Sequence, residues 1–149
     1  MSSSRLWIAV LVLALTSGSA GAEEEESEAR GFMAAKGRVT FRAYCASCHG
    51  PSATGDGNIA SYLNVPPADL TAIAARNGGE FPTDKVTEII DGRRQTRGHG
   101  SRDMPVWGDV FQSPLSDTEP GREEAPEERA DRKIRELVLF LETIQQSEE

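Results

Sequence analysis

The chain contains the pentapeptide Cys45-Ala46-Ser47-Cys48-His49, in which an imidazole directly follows two thiols spaced three residues apart. In a helical turn, side chains at positions i and i+3 share a face, so both sulfurs can reach one edge of a planar ligand. The pattern Cys-x-x-Cys-His is typical of covalent haem c attachment. It predicts thioether bonds to the porphyrin from Cys45 and Cys48, with His49 as the proximal ligand of the iron.

Three other interpretations of the two thiols are less favourable. A structural zinc site needs four protein ligands, but the chain has no other cysteine, and its only other histidine is His99. A thioredoxin-like dithiol site would require alternating strands and helices around the motif, and the sequence has no such pattern. The third alternative is a structural disulfide between the two cysteines. Haem attachment agrees best with the export signal at the start of the chain.

The first 22 residues are predicted to be a signal peptide. Ser2 to Arg5 carry one positive charge, Leu6 to Leu15 are apolar, and Ala20-Gly21-Ala22 provides a small-x-small cleavage site. Because the apolar run is short for a bilayer span, cleavage is favoured over an uncleaved anchor. We therefore expect an exported, periplasmic protein with no stable membrane insertion after cleavage. In that compartment free thiols are oxidised unless haem ligation consumes them.

The chain of 149 residues is distinctly acidic, with a formal net charge of −8 at neutral pH. Cleavage of the signal peptide removes Arg5 and makes this charge one unit more negative. Such acidity argues against binding to nucleic acid or to anionic membranes, and it favours a protein partner with a basic docking patch.

The charge pattern also predicts the organisation after the signal peptide. Residues 23–28 are nearly all acidic, and residues 23–30 are expected to be a disordered tail. Residues 31–149 are long enough for one domain with one modest core. Within that domain, residues 113–130 are rich in Pro, Glu and Asp, and are expected to form an exposed, mobile acidic loop.

Helical periodicity marks both ends of the expected domain. Apolar residues at spacings of three and four begin at Met33 and lead into the Cys-x-x-Cys-His motif, and a second such pattern runs from Ile134 to Ile144. Short helices are expected between them, with no convincing strand. A glycine inside a helix costs about 1 kcal/mol of helix stability relative to alanine. Gly37 is therefore expected to allow the terminal helix to pack closely, with Phe140 beside it.

The second axial ligand of the iron decides between electron transfer and catalysis at the metal. Met104 is the favoured candidate, because Pro105 restricts its backbone to an extended conformation and helps to aim its thioether. A methionine sulfur favours ferrous iron and raises the potential. Core filling is the commoner fate of a methionine, but no other methionine follows the motif. His99 is the alternative ligand, although its glycine-flanked loop suits a surface or propionate-side position better.

A cluster of arginines surrounds this region in an otherwise acidic protein. One or two of them are expected to neutralise haem propionates through charge-assisted hydrogen bonds, with a solvated basic loop as the alternative. Trp107 is expected to pack at the porphyrin edge. The four arginines are Arg93, Arg94, Arg97 and Arg102.

These motifs together resemble those of the class I monohaem c-type cytochromes. The likeness runs from about Gly31 to Ile144, apart from the acidic loop, and the family's haem-binding positions match Cys45, Cys48, His49 and Met104. The other residues that carry it are Gly37, Phe41, Pro66–Thr71, Gly92, Met104–Gly108 and Leu137–Leu141.

The resemblance implies an all-α fold, in which a few helices surround one covalent haem c and the first and last helices are in contact. It also implies that a proline carbonyl accepts a hydrogen bond from the ring N–H of His49. Pro66 and Pro67 are both candidates for that acceptor.

The favoured hypothesis is a non-enzymatic, periplasmic one-electron carrier with His/Met ligation of a single haem iron. It could be diffusible or the electron-transfer subunit of an oxidoreductase, and it would use redox partner proteins with a basic docking patch. The competing hypothesis is a haem enzyme, or a sensor of peroxide or a gas, whose sixth position is open or labile.

Overall fold

A computed structural model describes residues 18–93, 104–116 and 122–146. Helices and turns connect throughout these ranges, without a strand, which confirms the expected all-α class. The α-helices are α1 (Gly18–Tyr44), α2 (Ala46–His49), α3 (Thr83–Asp91), α4 (Trp107–Phe111) and α5 (Pro126–Thr143). Short 3-10 helices lie at Ala60–Tyr62, Leu70–Ala72, Ala75–Asn77 and Pro114–Ser116.

The chain divides into two compact units, Met1–Phe32 and Met33–Glu149. In the first unit, all described residues belong to α1, and those from position 21 onward are exposed. The expectation of a disordered tail over 23–30 was therefore wrong, because alanine and glutamate are good helix formers and no proline interrupts the run. Residues 1–17 of the expected signal peptide lie outside the described residues, so its cleavage stays a prediction.

The core of the second unit forms where α5 packs against α3, α4 and the end of α1. The apolar positions of α5 recur at spacings of three and four, so one side of the helix is buried along most of its length. The buried apolar side chains from other elements include Phe41, Val86, Ile90 and Phe111. Measured over the described residues, no helix is both long enough and apolar enough to cross a membrane.

Gly37 is the point at which α1 and α5 make backbone contact. A Cβ atom at this position would overlap the carbonyl of Glu136 and would lie 2.9 Å from the amide nitrogen of Leu137. One turn later, the rings of Phe41 and Phe140 pack with centroids 5.3 Å apart. The expected contact between the first and last helices, through a glycine and an aromatic pair, is confirmed.

Part of the expected acidic loop over 113–130 is helical. Pro114–Ser116 forms a 3-10 turn, and α5 already begins at Pro126. Proline suits the first helical turn, where its missing N–H is not needed, and Glu127 and Glu128 interact favourably with the positive end of the helix dipole. The composition that predicted a loop is therefore also that of a helix start.

Candidate haem site

The Cys-x-x-Cys-His motif continues the helical path of α1 through α2. The amide of Cys45 donates to the carbonyl of Phe41 at 2.8 Å, and the amide of His49 donates to the carbonyl of Cys45 at 2.9 Å. Cys45 and Cys48 are therefore about one turn apart, as the spacing predicted. Both are half-buried, and no disulfide joins them.

The chemistry of Cys45 differs from that of a reactive dithiol. Burial, with a smaller contribution from the neighbouring Cys48, raises the pKa of the Cys45 thiol to about 12. Catalytic redox cysteines instead have a lowered pKa, because the thiolate is the nucleophile. The environment of Cys45 thus disfavours the dithiol interpretation of the motif.

His49 is oriented by a backbone carbonyl. Its Nδ1 lies 3.0 Å from the oxygen of Ala68. Since a carbonyl can only accept, Nδ1 carries the proton, and Nε2 of the neutral ring keeps a free lone pair for a metal. Burial lowers the pKa of His49, against a smaller opposing contribution from the Ala68 hydrogen bond, and so favours the neutral ring.

The acceptor expected from Pro66 or Pro67 was assigned to the wrong residue. The hydrogen bond goes to Ala68 instead. The oxygen of Pro67 faces Gly55, where an added Cβ would lie 2.5 Å from it. The Pro67 carbonyl is therefore directed at the glycine loop, and the next carbonyl along the chain is the one that faces the ring.

A glycine-rich loop covers the back of the motif with backbone contacts. The amides of Gly55 and Gly57 donate to the carbonyls of His49 and Cys48 at 2.8 and 3.0 Å. A Cβ atom at Gly57 would overlap the carbonyls of Ser47 and Cys48, and Gly55 has a φ of +87°. These two glycines therefore allow the loop to hold the motif in place.

A cavity of about 710 Å³ opens beside the motif. This volume lies within the range of about 300–1,000 Å³ that is usual for small-molecule and cofactor sites. Cys45, Cys48, His49 and Met104 all lie on its wall. Much of the remaining wall is apolar and includes Leu63, Val65, Leu70, Val86, Ile90 and Leu141.

Met104 reaches this cavity from the segment that leads into α4. Pro105 and Trp107 also line the cavity. The ring of Trp107 meets Tyr44 edge-on, with centroids 5.8 Å apart, and stacks on Phe111 at 5.6 Å. This aromatic cluster fixes the wall that carries Met104. Met104 thus lines the same cavity as His49, and the bond from Met104 to iron stays a prediction.

Among the described residues, the basic side chains on the cavity wall are Arg76 and Lys85, which the sequence analysis did not select. Asn77 also lines the cavity, and Arg76 Nη2 donates to the carbonyl of Asp69 at 2.6 Å. The available signal was the position of Lys85 directly beside Val86, on the flank of the apolar face of α3. Arg93 binds Asp91 and Asp131 instead. His99, Arg94, Arg97 and Arg102 lie outside the described residues.

The donor set of the cavity fits a haem better than a bare metal ion. In the part of the chain that the structure describes, no group of three or more His, Cys, Asp or Glu side chains could hold a metal ion. A metal at His49 would need the further ligands that a porphyrin supplies. Apolar walls, two thiols and two cationic side chains suit the macrocycle, its vinyl groups and its propionates.

A protein family described as "Cytochrome C oxidase, cbb3-type, subunit III" matches residues 32–119, which is more than half of the chain. The matched range contains the Cys-x-x-Cys-His motif, α3 and Met104. No curated protein and no solved structure matches the chain. The chain therefore belongs to this family and is a c-type cytochrome with a haem-based electron-transfer role.

Proposed function

We propose that the protein is an exported one-electron carrier with a single haem c, bound covalently by Cys45 and Cys48 and ligated by His49 and Met104. The observation that supports this most strongly is that His49 and Met104 line one cavity together with both thiols. When bound, the haem supplies one-electron redox chemistry at its iron. With protein ligands on both faces, substrates have no access to the metal, so we infer no enzymatic activity.

A backbone hydrogen bond holds the imidazole of His49 in one tautomer and one orientation. The carbonyl of Ala68 accepts from Nδ1, which directs Nε2 towards the metal. Hydrogen bonds of this kind raise the basicity of a ligating imidazole and limit its rotation. The same coordination can then persist in both oxidation states, which favours fast electron transfer.

Met104, which also lines the cavity, would supply a soft sulfur ligand. Such a ligand stabilises ferrous iron and raises the midpoint potential. Arg76 and Lys85 are the described cationic groups on the wall and are suited to bind the propionates. The apolar remainder of the wall limits water around the cofactor.

The acidic surface suits redox partners with a basic docking patch. Glu23–Glu26 are exposed on α1, and Glu127 and Glu128 are exposed at the start of α5. Opposite charges steer encounter complexes and lose this effect as salt increases. We expect reduction by a basic partner to slow as ionic strength rises, whether the protein diffuses freely or is a subunit of an oxidoreductase.

Export follows from the predicted signal peptide over residues 1–22, so we place the mature protein in the periplasm, without stable membrane insertion. We propose that the cytochrome domain occupies residues 31–149. Nothing in the acidic surface favours nucleic acid as a partner.

Carbon monoxide binding tests the proposal against a haem enzyme or gas sensor. Reduced wild-type holoprotein should not bind carbon monoxide, and the ferric form should show the far-red band of methionine-ligated iron. Met104→Ala should lose that band and bind carbon monoxide readily. Met33→Leu changes a methionine outside the cavity wall and should behave as wild type. Rapid carbon monoxide binding by the wild type would instead support the enzyme or sensor.

A further inference from the structure

Arg93 connects the end of α3 to α5. Its Nε donates to the carboxylate of Asp91, the last residue of α3, and its Nη2 donates to Oδ1 of Asp131 on α5 at 2.8 Å. The Arg93 and Asp91 side chains are 25% and 16% exposed, whereas that of Asp131 is 59% exposed. The pair with Asp91 is therefore the better shielded of the two, and the bridge to Asp131 is closer to solvent.

This ion pair packs directly against α4. A Cβ atom at Gly108 would overlap the carboxylate of Asp91 and would lie 2.6 Å from Nε of Arg93. At the end of α3, Gly92 has a φ of +63°, and a Cβ there would lie 3.3 Å from the Cα of Val106. Two glycines therefore allow the end of α3 to lie flush against the residues that follow Met104.

We infer that Arg93, Asp91 and Asp131, packed on Gly108, form a clamp that positions Met104 for ligation of the haem iron. This inference rests on the proposed function, in which Met104 is the sixth ligand. Gly108, which packs on the ion pair, is four residues after Met104, and Gly92 contacts Val106, two residues after Met104. The clamp thus holds the short described segment from which the sulfur would reach the metal.

The chemistry of the clamp depends on a guanidinium. Its planar fork can donate to two carboxylates from one fixed geometry, which a lysine ammonium cannot reproduce. A thioether is a soft ligand that favours ferrous over ferric iron, so ligation in the ferric protein depends most on how well the chain holds the sulfur in place. Arg93 does not line the cavity, so this positioning role involves no contact with the cofactor.

Four variants of the holoprotein test the clamp. Arg93→Gln removes the charge, Arg93→Lys keeps the charge but not the fork, and Gly108→Ala inserts a methyl group between α4 and the ion pair. Asp131→Asn removes the charge at the more exposed carboxylate and keeps the better shielded pair between Arg93 and Asp91. The matched controls are Arg135→Gln on α5 and Glu88→Gln on α3, each of which removes one charge at an exposed position.

The readouts are the far-red band of the ferric form, the rate of carbon monoxide binding to the reduced form, and the melting temperature. Arg93→Gln and Gly108→Ala should weaken the band and raise the carbon monoxide rate about tenfold, the change that corresponds to about 1.4 kcal/mol. Arg93→Lys should resemble Arg93→Gln, and Asp131→Asn should shift both readouts less, in the same direction. Both controls should match the wild type.

The outcomes separate the clamp from the proposed function. Variants that melt earlier but keep the wild-type band and carbon monoxide rate would overturn the clamp, since it would then only stabilise the fold. A wild-type protein without the band would overturn Met104 ligation, and the clamp with it. If Arg93→Gln gives no holoprotein, Asp131→Asn decides by the same two readouts.

Discussion

The two sides of the cavity are held in different ways. On the His49 side, the ring binds the carbonyl of Ala68, 19 residues away, and the loop amides of Gly55 and Gly57 bind the motif itself. On the Met104 side, Arg93 at the end of α3 binds Asp131 on α5, 38 residues away. One ligand is thus fixed by nearby sequence and the other by tertiary structure.

This difference predicts which side of the cavity opens first when the protein is destabilised. Backbone hydrogen bonds around His49 persist as long as α2 and its covering loop remain folded. The Met104 side depends on α3, α4 and α5 remaining together, and Pro105 and Val106 next to Met104 are exposed. Segments with few buried contacts open at lower free energy. We therefore expect the methionine side to open first.

The largest effect should come from removing the covalent attachment on the His49 side. In a Cys45→Ser/Cys48→Ser variant no thioether can form, so haem should be absent from the polypeptide after denaturing electrophoresis and haem staining. Met104→Ala serves as the control from the other side of the cavity, and its stain should equal that of the wild type. Haem that stays on the double variant would mean that another group holds it.

The next largest effect is expected at Gly37, where α1 and α5 make backbone contact. In Gly37→Ala the new methyl group would overlap the carbonyl of Glu136, and overpacking of this kind costs about 1–3 kcal/mol of unfolding free energy. Denaturant titration measures the loss.

Gly31→Ala is the matched control in the same helix. No atom lies within 4 Å of a Cβ at Gly31, so this change should instead stabilise α1 by up to about 1 kcal/mol. Equal stabilities for the two variants would show that the contact between α1 and α5 is looser than the structure indicates.

Gly57→Ala is expected to lower the unfolding free energy by a similar amount, but through contacts on the His49 side alone. The methyl group would overlap the carbonyls of Ser47 and Cys48, so the loop should separate from the motif. Because the Met104 side does not use this loop, the far-red band should survive in the holoprotein while the unfolding free energy falls by about 1–3 kcal/mol. Loss of the band would indicate that the two sides are coupled.

The smallest effect should come from Asp69, which follows the His49 acceptor Ala68. Its carboxylate accepts from the amide and the hydroxyl of Thr71 at 2.8 and 2.6 Å, and these bonds, the hydroxyl bond first, lower its pKa. Loss of such a cap costs about 1 kcal/mol, so Asp69→Ala should lower the unfolding free energy by that amount at neutral pH.

The sign of the pH dependence follows from the lowered pKa of Asp69. The unfolded carboxyl binds a proton more readily than the folded one, so the contribution of Asp69 is present above the ordinary aspartate pKa and is lost as the pH falls through the folded value. The difference between wild type and Asp69→Ala should therefore shrink in acid. A difference that is constant with pH would exclude the carboxylate as its source.

The sequence predicted the parts of the site that local patterns encode. Spacing placed Cys45, Cys48 and His49 on one helical path, and periodicity on either side of Gly37 and Phe140 predicted the helix contact. Met104 was predicted as the second iron ligand because a proline follows it and no other methionine follows the motif.

The parts that escaped prediction depend on backbone direction and on distant partners. Which carbonyl faces His49 is set by how the chain turns after Pro66 and Pro67, and no residue type signals that turn. The destination of Arg93 required the position of Asp131 on another helix. The start of α5 at Pro126 was hidden because acidic residues and proline are common both in loops and in first helical turns.

Iron X-ray absorption of the reduced holoprotein measures the ligand pair most directly. We expect one sulfur ligand in the wild type, with nitrogen in the other positions, and nitrogen alone in Met104→Leu after its sulfur is removed. A wild-type protein whose iron is bound by nitrogen alone would contradict ligation by Met104.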